Sequence, residues 1–447
     1  MPVPSDLKRL SELFESMSSI IRPILLEEPE IDYWDIETEN GEDVVEGNEF
    51  RIVNVKNKNT LEFKAFVDGA QRIIHGGNII LSGQSLFIPI YVGQIGAAVL
   101  ERNERKLIPI NDLCIRRTVI AFPVEGVYKT STDRNIKEKM EELMNSDSKI
   151  VQDFEVAEDP LSALSMGEAT GRIIICDITY PGLDREHRQY IREKIGESLN
   201  EYEISSKRMP LIGARLSALS IVRTRAHSRI NVLRQLIEML VLTEYRLRIN
   251  KEDLVLVDGP LFLLGKWFKK HPALRSKSPI EREEMILYNS VGLVKRLRRS
   301  PPKRLPNYPI IHSLRIGQRT TITMLRKATS SLGEEAPYYD CPHLTYYLRF
   351  RQPPWLSIPH YAGLIRVDLF KNTLDIDRIP EKSELPQEAS EKADLIANTI
   401  WREAYPLPAD KSRFYTQPFP IEEAERYIRS GFYSTKELQY LSFRGMS

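Results

Sequence analysis

Cysteine is scarce in this chain, with only Cys114, Cys176 and Cys341. Three scattered thiols cannot build a disulfide framework or a zinc site of the usual spacing. They suit a reducing, cytoplasmic compartment. No apolar run approaches the roughly 20 residues of a membrane span, and no basic segment leads into an apolar one at the N-terminus. No membrane partner is therefore expected. The absence of a GxxxxGK[ST] loop argues against ATP hydrolysis by the chain itself. The seven histidines, His75, His187, His227, His271, His312, His343 and His360, show no HxxxH or HxH spacing. They read as surface or satisfied core groups, with His227 the one that a metal site could include. An excess of charge is missing too: 63 Lys and Arg against 62 Asp and Glu leave +1. A nucleic-acid-binding protein of this balance has to gather its basic residues on one face.

What is present is a globular composition, 42% hydrophobic and 28% charged over 447 residues, enough for one large domain with insertions or for two to three ordinary ones. Leu7, Leu10, Phe14, Met17 and Ile21 recur at helical spacing behind Ser5, and predict an amphipathic helix that packs on a core or mediates dimerisation. Residues 27–48 are acidic and read as a linker or a solvated loop. Strands follow at Phe63–Val67, Asn78–Leu81 and Leu86–Leu100, an antiparallel meander whose first strand ends at Asp68-Gly69. A strand at Thr118–Pro123, a helix near Asn135–Met144, a strand at Arg172–Cys176 and a helix at Glu186–Asn200 form a separate module. The helix expected over Ala226–Arg248 carries the stripe Leu233, Leu236, Ile237, Leu240 and Val241. It leads into the strand Leu254–Val257, which ends at Asp258-Gly259. Late strands are expected at Thr345–Phe350 and Leu364–Val367, a helix over Gln387–Glu403 and one or two short helices over 421–442. A mixed α/β fold results.

Two apolar strands ending in Asp-Gly are the pattern with chemical content. Two-metal phosphodiester hydrolysis needs several carboxylates within a few ångströms, on rigid supports, around hard cations such as Mn²⁺ or Mg²⁺. Either Asp-Gly alone is also how an ordinary turn begins. The pair, with a glutamate-bearing helix entering the second, says more. Asp177 also follows an apolar strand and reads as a turn residue. The basic run KRLRRSPPKR at 295–304 is either a solvated loop or a phosphate-contacting surface.

These segments resemble the NurA family of nucleases. AFVDGAQRI with the Gly76-Gly77 turn is similar to that family's first motif. RINVLRQLIEMLVLTEY and LVLVDGPLF are similar to the second and third. VGLVKRL, YYLRF, GLIRVDLF and IWREAYPLP follow in the family's order, from about residue 60 to 410. The resemblance implies an RNase H-like mixed sheet core flanked by helices, with an inserted α/β module. It implies divalent-metal-dependent DNA cleavage with Mn²⁺ or Mg²⁺, a homodimer, and work with a HerA-type hexameric ATPase in end resection and double-strand break repair. Carried over by position, Asp68, Glu238 and Asp258 hold the metals and Tyr405 is the closing tyrosine. Glu244 competes with Glu238. Lys295, Arg296, Arg298 and Arg299 would contact DNA phosphates. The divisions expected are 1–48 (N-terminal helix and acidic linker), 49–102 with 223–415 (nuclease core), 103–222 (insertion) and 416–447 (helical tail). Three departures stand out. Ala70 replaces a serine. Asp368 stands where relatives commonly carry glutamate. No histidine follows Tyr405, leaving Asp410 as an oxygen donor in that stretch. The alternative class is a NurA-like subunit that binds DNA or the motor without cutting.

Overall fold

The structure, a computed structural model, describes residues 43–56, 59–81, 86–145, 173–179, 211–249, 252–261, 271–295, 308–329, 338–351, 363–378, 380, 384–404 and 418–444, with a few positions before residue 43. Its backbone is one large mixed sheet. The strands that build its centre are β1 (Ala65–Leu81), β2 (Leu86–Asn103), β3 (Lys106–Phe122), β4 (Ile173–Asp177), β5 (Val255–Asp258) and β6 (Ser290–Val294). β7 (Thr323–Thr329), β8 (Tyr338–Arg349) and β9 (Leu364–Leu369) extend it. The spatial order is β7-β8-β9-β6-β5-β1-β2-β3-β4.

β1, β2 and β3 form an antiparallel meander. β5 runs parallel to β1 and to β6. Counting only β3-β2-β1-β5-β6, the third strand leads, the first lies central and the two later strands join it in parallel. This mixed α/β arrangement is compatible with an RNase H-like core.

Side-chain alternation divides the sheet into two apolar faces. Ala65, Val67, Ile95, Val99, Val255 and Val257 face α3 (Leu211–Arg248), meeting Ile230, Leu233, Ile237 and Val241. Phe66, Leu256, Leu293, Ile365 and Val367 face the other way, toward Ile396 and Ile400 of α5 (Gln387–Arg402) and Ile421 of α6 (Phe419–Ser430). Between α3 and α5 in the chain lies α4 (Pro279–Leu287), capped by Ser278. Two short helices, α1 (Val124–Thr130) and α2 (Arg134–Asn145), follow β3. α7 (Thr435–Arg444) closes the chain's described part.

Three expectations are corrected. Asp68-Gly69 does not end a strand: β1 runs through it for 17 residues. Gly69 keeps ordinary extended backbone, whereas Gly259 turns out of β5 at φ +90. The only irregularity in the β1 pairing is between His75 and Gly77, where Gly77 adopts φ +139, a bulge and not a turn. Second, Lys106–Phe122 was expected at the start of an inserted module, yet it is the third strand of the central sheet, joined to β2 through a tight turn at Glu104-Arg105. β4 then pairs with its far edge. The helix expected at Glu186–Asn200 lies outside the described residues. Third, the end of the acidic 27–48 stretch is no solvated linker. Asp43–Val44 pairs with β7, Val45 is buried, and Glu46 binds Arg319. Leu10, Phe14 and Met17 are buried against Ile74, Ile79 and Ile90, so this part of the N-terminal segment packs on the core. No described helix is long and apolar enough to cross a membrane.

Candidate functional site

The two Asp-Gly aspartates meet because β1 and β5 are neighbours. Val67 pairs with Val257 in parallel register, so Asp68 and Asp258 follow side by side. Both continue the alternation of Phe66 and Leu256, which places them on the α5 and α6 face. Leu293 pairs with Asp258 and faces the same way. Two residues on, Lys295 sets its Nζ 2.6 Å from Asp258 Oδ1.

Asp68 is fully buried. Its Oδ1 accepts the N–H of Gly69 at 2.7 Å. Its Oδ2 has no hydrogen-bond partner among the described residues. Burial, followed by the charge of Asp258, pushes the Asp68 carboxyl well above the ordinary aspartate range, and Lys295 only partly offsets this. Burial disfavours the Lys295 ammonium, but the negative charges of Asp258 and Asp68 outweigh it and hold the proton on.

A third carboxylate, Glu425, was not anticipated from the sequence. α6 lies across β1 and β2, with Ile428 against Ala70 and Ala98. Ala98 is the cross-strand partner of Asp68. Glu425 is adjacent to the buried Ala424 and one turn before Ile428. Its charge adds to the upward shift of Asp68 and to the retention of the Lys295 proton. Arg429 pairs with it at 2.8 Å.

Glu238 approaches from the other side. A Cβ built on Gly69 would collide with the Glu238 carboxylate. The glutamate therefore rests on the bare backbone of β1, on the α3 face, with the strand between it and the Asp68 carboxylate. Arg234 binds it closely, yet its charge still contributes to the Asp68 shift. Glu244, its competitor, is occupied elsewhere, 3.0 Å from His271.

Asp368 pairs with Gly292 across β9 and β6. Its two oxygens take Arg366 at 2.8 and 2.9 Å, and Thr345 donates to it at 3.1 Å. It belongs to the α3 face, the reverse of Asp258. His227 stacks edge-on against Tyr91 at 5.2 Å. Tyr91 lies seven positions along β2 from Ala98, roughly 23 Å at strand rise, so His227 is far from the aspartates. Burial lowers its pKa to about 3. Asp177 accepts the N–H of Thr179 at 2.9 Å and that of Glu125 at 3.3 Å, a turn-and-cap role. Tyr405, Asp410, Arg296, Arg298 and Arg299 lie outside the described residues.

Among the described residues no three His, Cys, Asp or Glu side chains, as oriented here, are close enough together to hold a metal ion. The chemistry of the donors nonetheless fits one. Asp68 and Asp258 offer carboxylate oxygens of the kind hard divalent cations take, the buried Asp68 Oδ2 has no hydrogen-bond partner among the described residues, and a cation, the Lys295 ammonium, already rests on Asp258. No protein-family model matches the chain, and no curated protein matches its sequence.

Proposed function

We propose that the chain is a divalent-metal-dependent deoxyribonuclease, with Asp68 and Asp258 as the metal-holding pair. The observation that carries this reading is the side-by-side placement of two aspartates, with the buried Oδ2 of Asp68 lacking a hydrogen-bond partner among the described residues. The motif order that resembles NurA gives the reading its substrate, DNA, and its setting: end resection and break repair as a homodimer beside a HerA-type ATPase.

A bound Mn²⁺ or Mg²⁺ would supply polarisation of the phosphate and activation of water. The chain's own groups do the rest. Gly69 N–H fixes one oxygen of Asp68, leaving the other to face the cluster. Glu238 buttresses the strand at Gly69 from behind, so its part in this reading is to position Asp68. Glu425 adds negative charge from α6. Lys295 brings a positive charge suited to a phosphate oxygen and continues into the basic run, which would position the backbone of DNA without reading sequence. Binding that uses this run weakens steeply with salt. Tyr405 remains a candidate by resemblance.

A second reading is a NurA-like subunit that binds DNA or the motor without cutting. Lys295 on Asp258, Arg234 on Glu238 and the lack of a histidine after Tyr405 favour it. The two separate on one assay. Pure protein is incubated with labelled single- and double-stranded DNA, and with RNA, in Mn²⁺ beside Asp68→Ala. Cleavage of DNA by the wild type and none by the variant supports the nuclease. No cleavage by either, with DNA still bound, supports the non-cutting subunit.

A further inference from the structure

We propose that Lys295 is an exchangeable occupant of the cation position: its ammonium neutralises the aspartates in the metal-free protein and gives way when a divalent ion binds. This rests on the nuclease reading above and adds a competition built into the chain.

Three observations lead to it. Lys295 Nζ lies 2.6 Å from Asp258 Oδ1, with its side chain 15% exposed. It follows directly on β6, so the sheet anchors its backbone beside Asp258. Its charge is favoured by those of Asp258, Asp68 and Glu425; the two aspartates lie side by side on the sheet face that α6 covers, and Asp68 Oδ2 has no hydrogen-bond partner among the described residues. Arg429 also rests on Glu425, at 2.8 Å.

An ammonium and a divalent ion held by the same aspartate repel each other strongly. That repulsion is stronger in a buried site than in water, because the effective dielectric is lower. Displacing Lys295 frees Asp258 for the metal. It also releases a positive charge at the mouth of the cluster, where a phosphate bound to the metal would meet it. Metal loading and phosphate capture are thereby coupled through one side chain. Glu238 and Arg234, across the strand, take no part in the exchange.

The test uses the full chain and Mn²⁺ alone. Free Mn²⁺ is counted by electron paramagnetic resonance during titration of wild type, Lys295→Met and Asp258→Asn. The competition predicts at least ~10-fold tighter Mn²⁺ binding in Lys295→Met than in wild type, and loss of binding in Asp258→Asn. A second readout needs no variant: reductive methylation of wild-type lysines, followed by mass spectrometry. Lys295 should be slow to react without Mn²⁺ and several-fold faster with it. Wild-type binding that Lys295→Met leaves unchanged or weakens overturns the exchange while leaving the nuclease reading intact. Lys295 reactivity unmoved by saturating Mn²⁺ does the same. Absence of Mn²⁺ binding in both wild type and Lys295→Met removes the nuclease reading itself, and the exchange with it.

Discussion

Replacing Asp68 by asparagine should stabilise the metal-free protein while abolishing its response to manganese. The side chain keeps its shape, and its carbonyl oxygen still accepts from Gly69 N–H, as Oδ1 does now at 2.7 Å. The amide nitrogen takes the place of Oδ2, which has no hydrogen-bond partner among the described residues. It is a donor in place of an unsatisfied acceptor, and it removes a negative charge that Asp258 and Glu425 oppose. Relieving a buried unsatisfied acceptor is worth about 1–3 kcal/mol. For 447 residues the melting entropy makes each kcal/mol about 1 °C, so a rise of about 1–3 °C is expected. Because the Asp68 carboxyl is pushed up in the folded state, the folded protein holds that proton more tightly than the unfolded chain. Wild-type stability from this group is full below the ordinary aspartate range and falls as pH rises through the elevated value. The asparagine advantage should therefore be wider at pH 8 than at pH 5. Manganese at about 100 times its dissociation constant adds about 2.7 kcal/mol to a protein that binds it. It should do so for wild type only, narrowing or reversing the order of stability. Thermal and urea unfolding at both pH values, with and without Mn²⁺, check all of this. A variant less stable than wild type at pH 8 without metal, or equally stabilised by Mn²⁺, refutes the reasoning.

Other substitutions probe the surrounding structure. Gly69→Ala drives a methyl onto the Glu238 carboxylate, and should cost about 1–3 kcal/mol. Much of that loss should be absent when Gly69→Ala is compared in a Glu238→Ala background, as a double-mutant cycle by denaturation would reveal. Arg319→Met leaves Glu46 and Asp394 without the guanidinium now at 2.6 and 2.7 Å, a loss of about 3–5 kcal/mol. Burial works against the charged form of Glu46, but Arg319 overcomes it and holds the pKa low. That stability is present above the ordinary glutamate range and fades as pH falls through the depressed value, so the deficit of Arg319→Met should shrink in acid. Glu244→Gln should leave Mn²⁺ affinity within about twofold of wild type, since Glu244 is engaged by His271 away from the aspartates; ligand loss of the kind that costs 10–100-fold would contradict its placement.

Much of the frame could be read from the residues. The apolar stripe at 233, 236, 237, 240 and 241 marks the face of α3 that packs on the sheet, and the run before Asp258 is the buried strand it resembles. The length of β1 was hidden because Asp-Gly has the composition of a turn. What keeps the strand going is burial: Asp68 lies opposite Ala98 under α6, which sequence alone does not display. β3 falls in the segment expected as an insertion because the residues on either side follow one continuous motif series, and the turn before it, Asn-Glu-Arg-Lys, contains no glycine to mark a hairpin. Strict alternation along β1 already implies that Asp68 and Gly69 face opposite ways. The glutamate of α3 consequently meets the glycine while the aspartate turns to α6. Glu425 was obscured by its own helix, where Glu422, Glu423 and Glu425 pair with arginines along the helix and resemble a solvated face. Its one legible sign is the buried triplet Ile421, Ala424 and Ile428. Asp368 has the look of a ligand, but Arg366 two residues earlier on the same strand points the same way and occupies both its oxygens.

A crystal soaked in Mn²⁺ and measured for anomalous scattering addresses the convergence of the two aspartates most directly. A manganese peak within about 2–2.6 Å of an oxygen from each of Asp68 and Asp258, with Lys295 Nζ withdrawn from Asp258, is the predicted result. Manganese bound only elsewhere, or none at all with the lysine still against its aspartate, would contradict it.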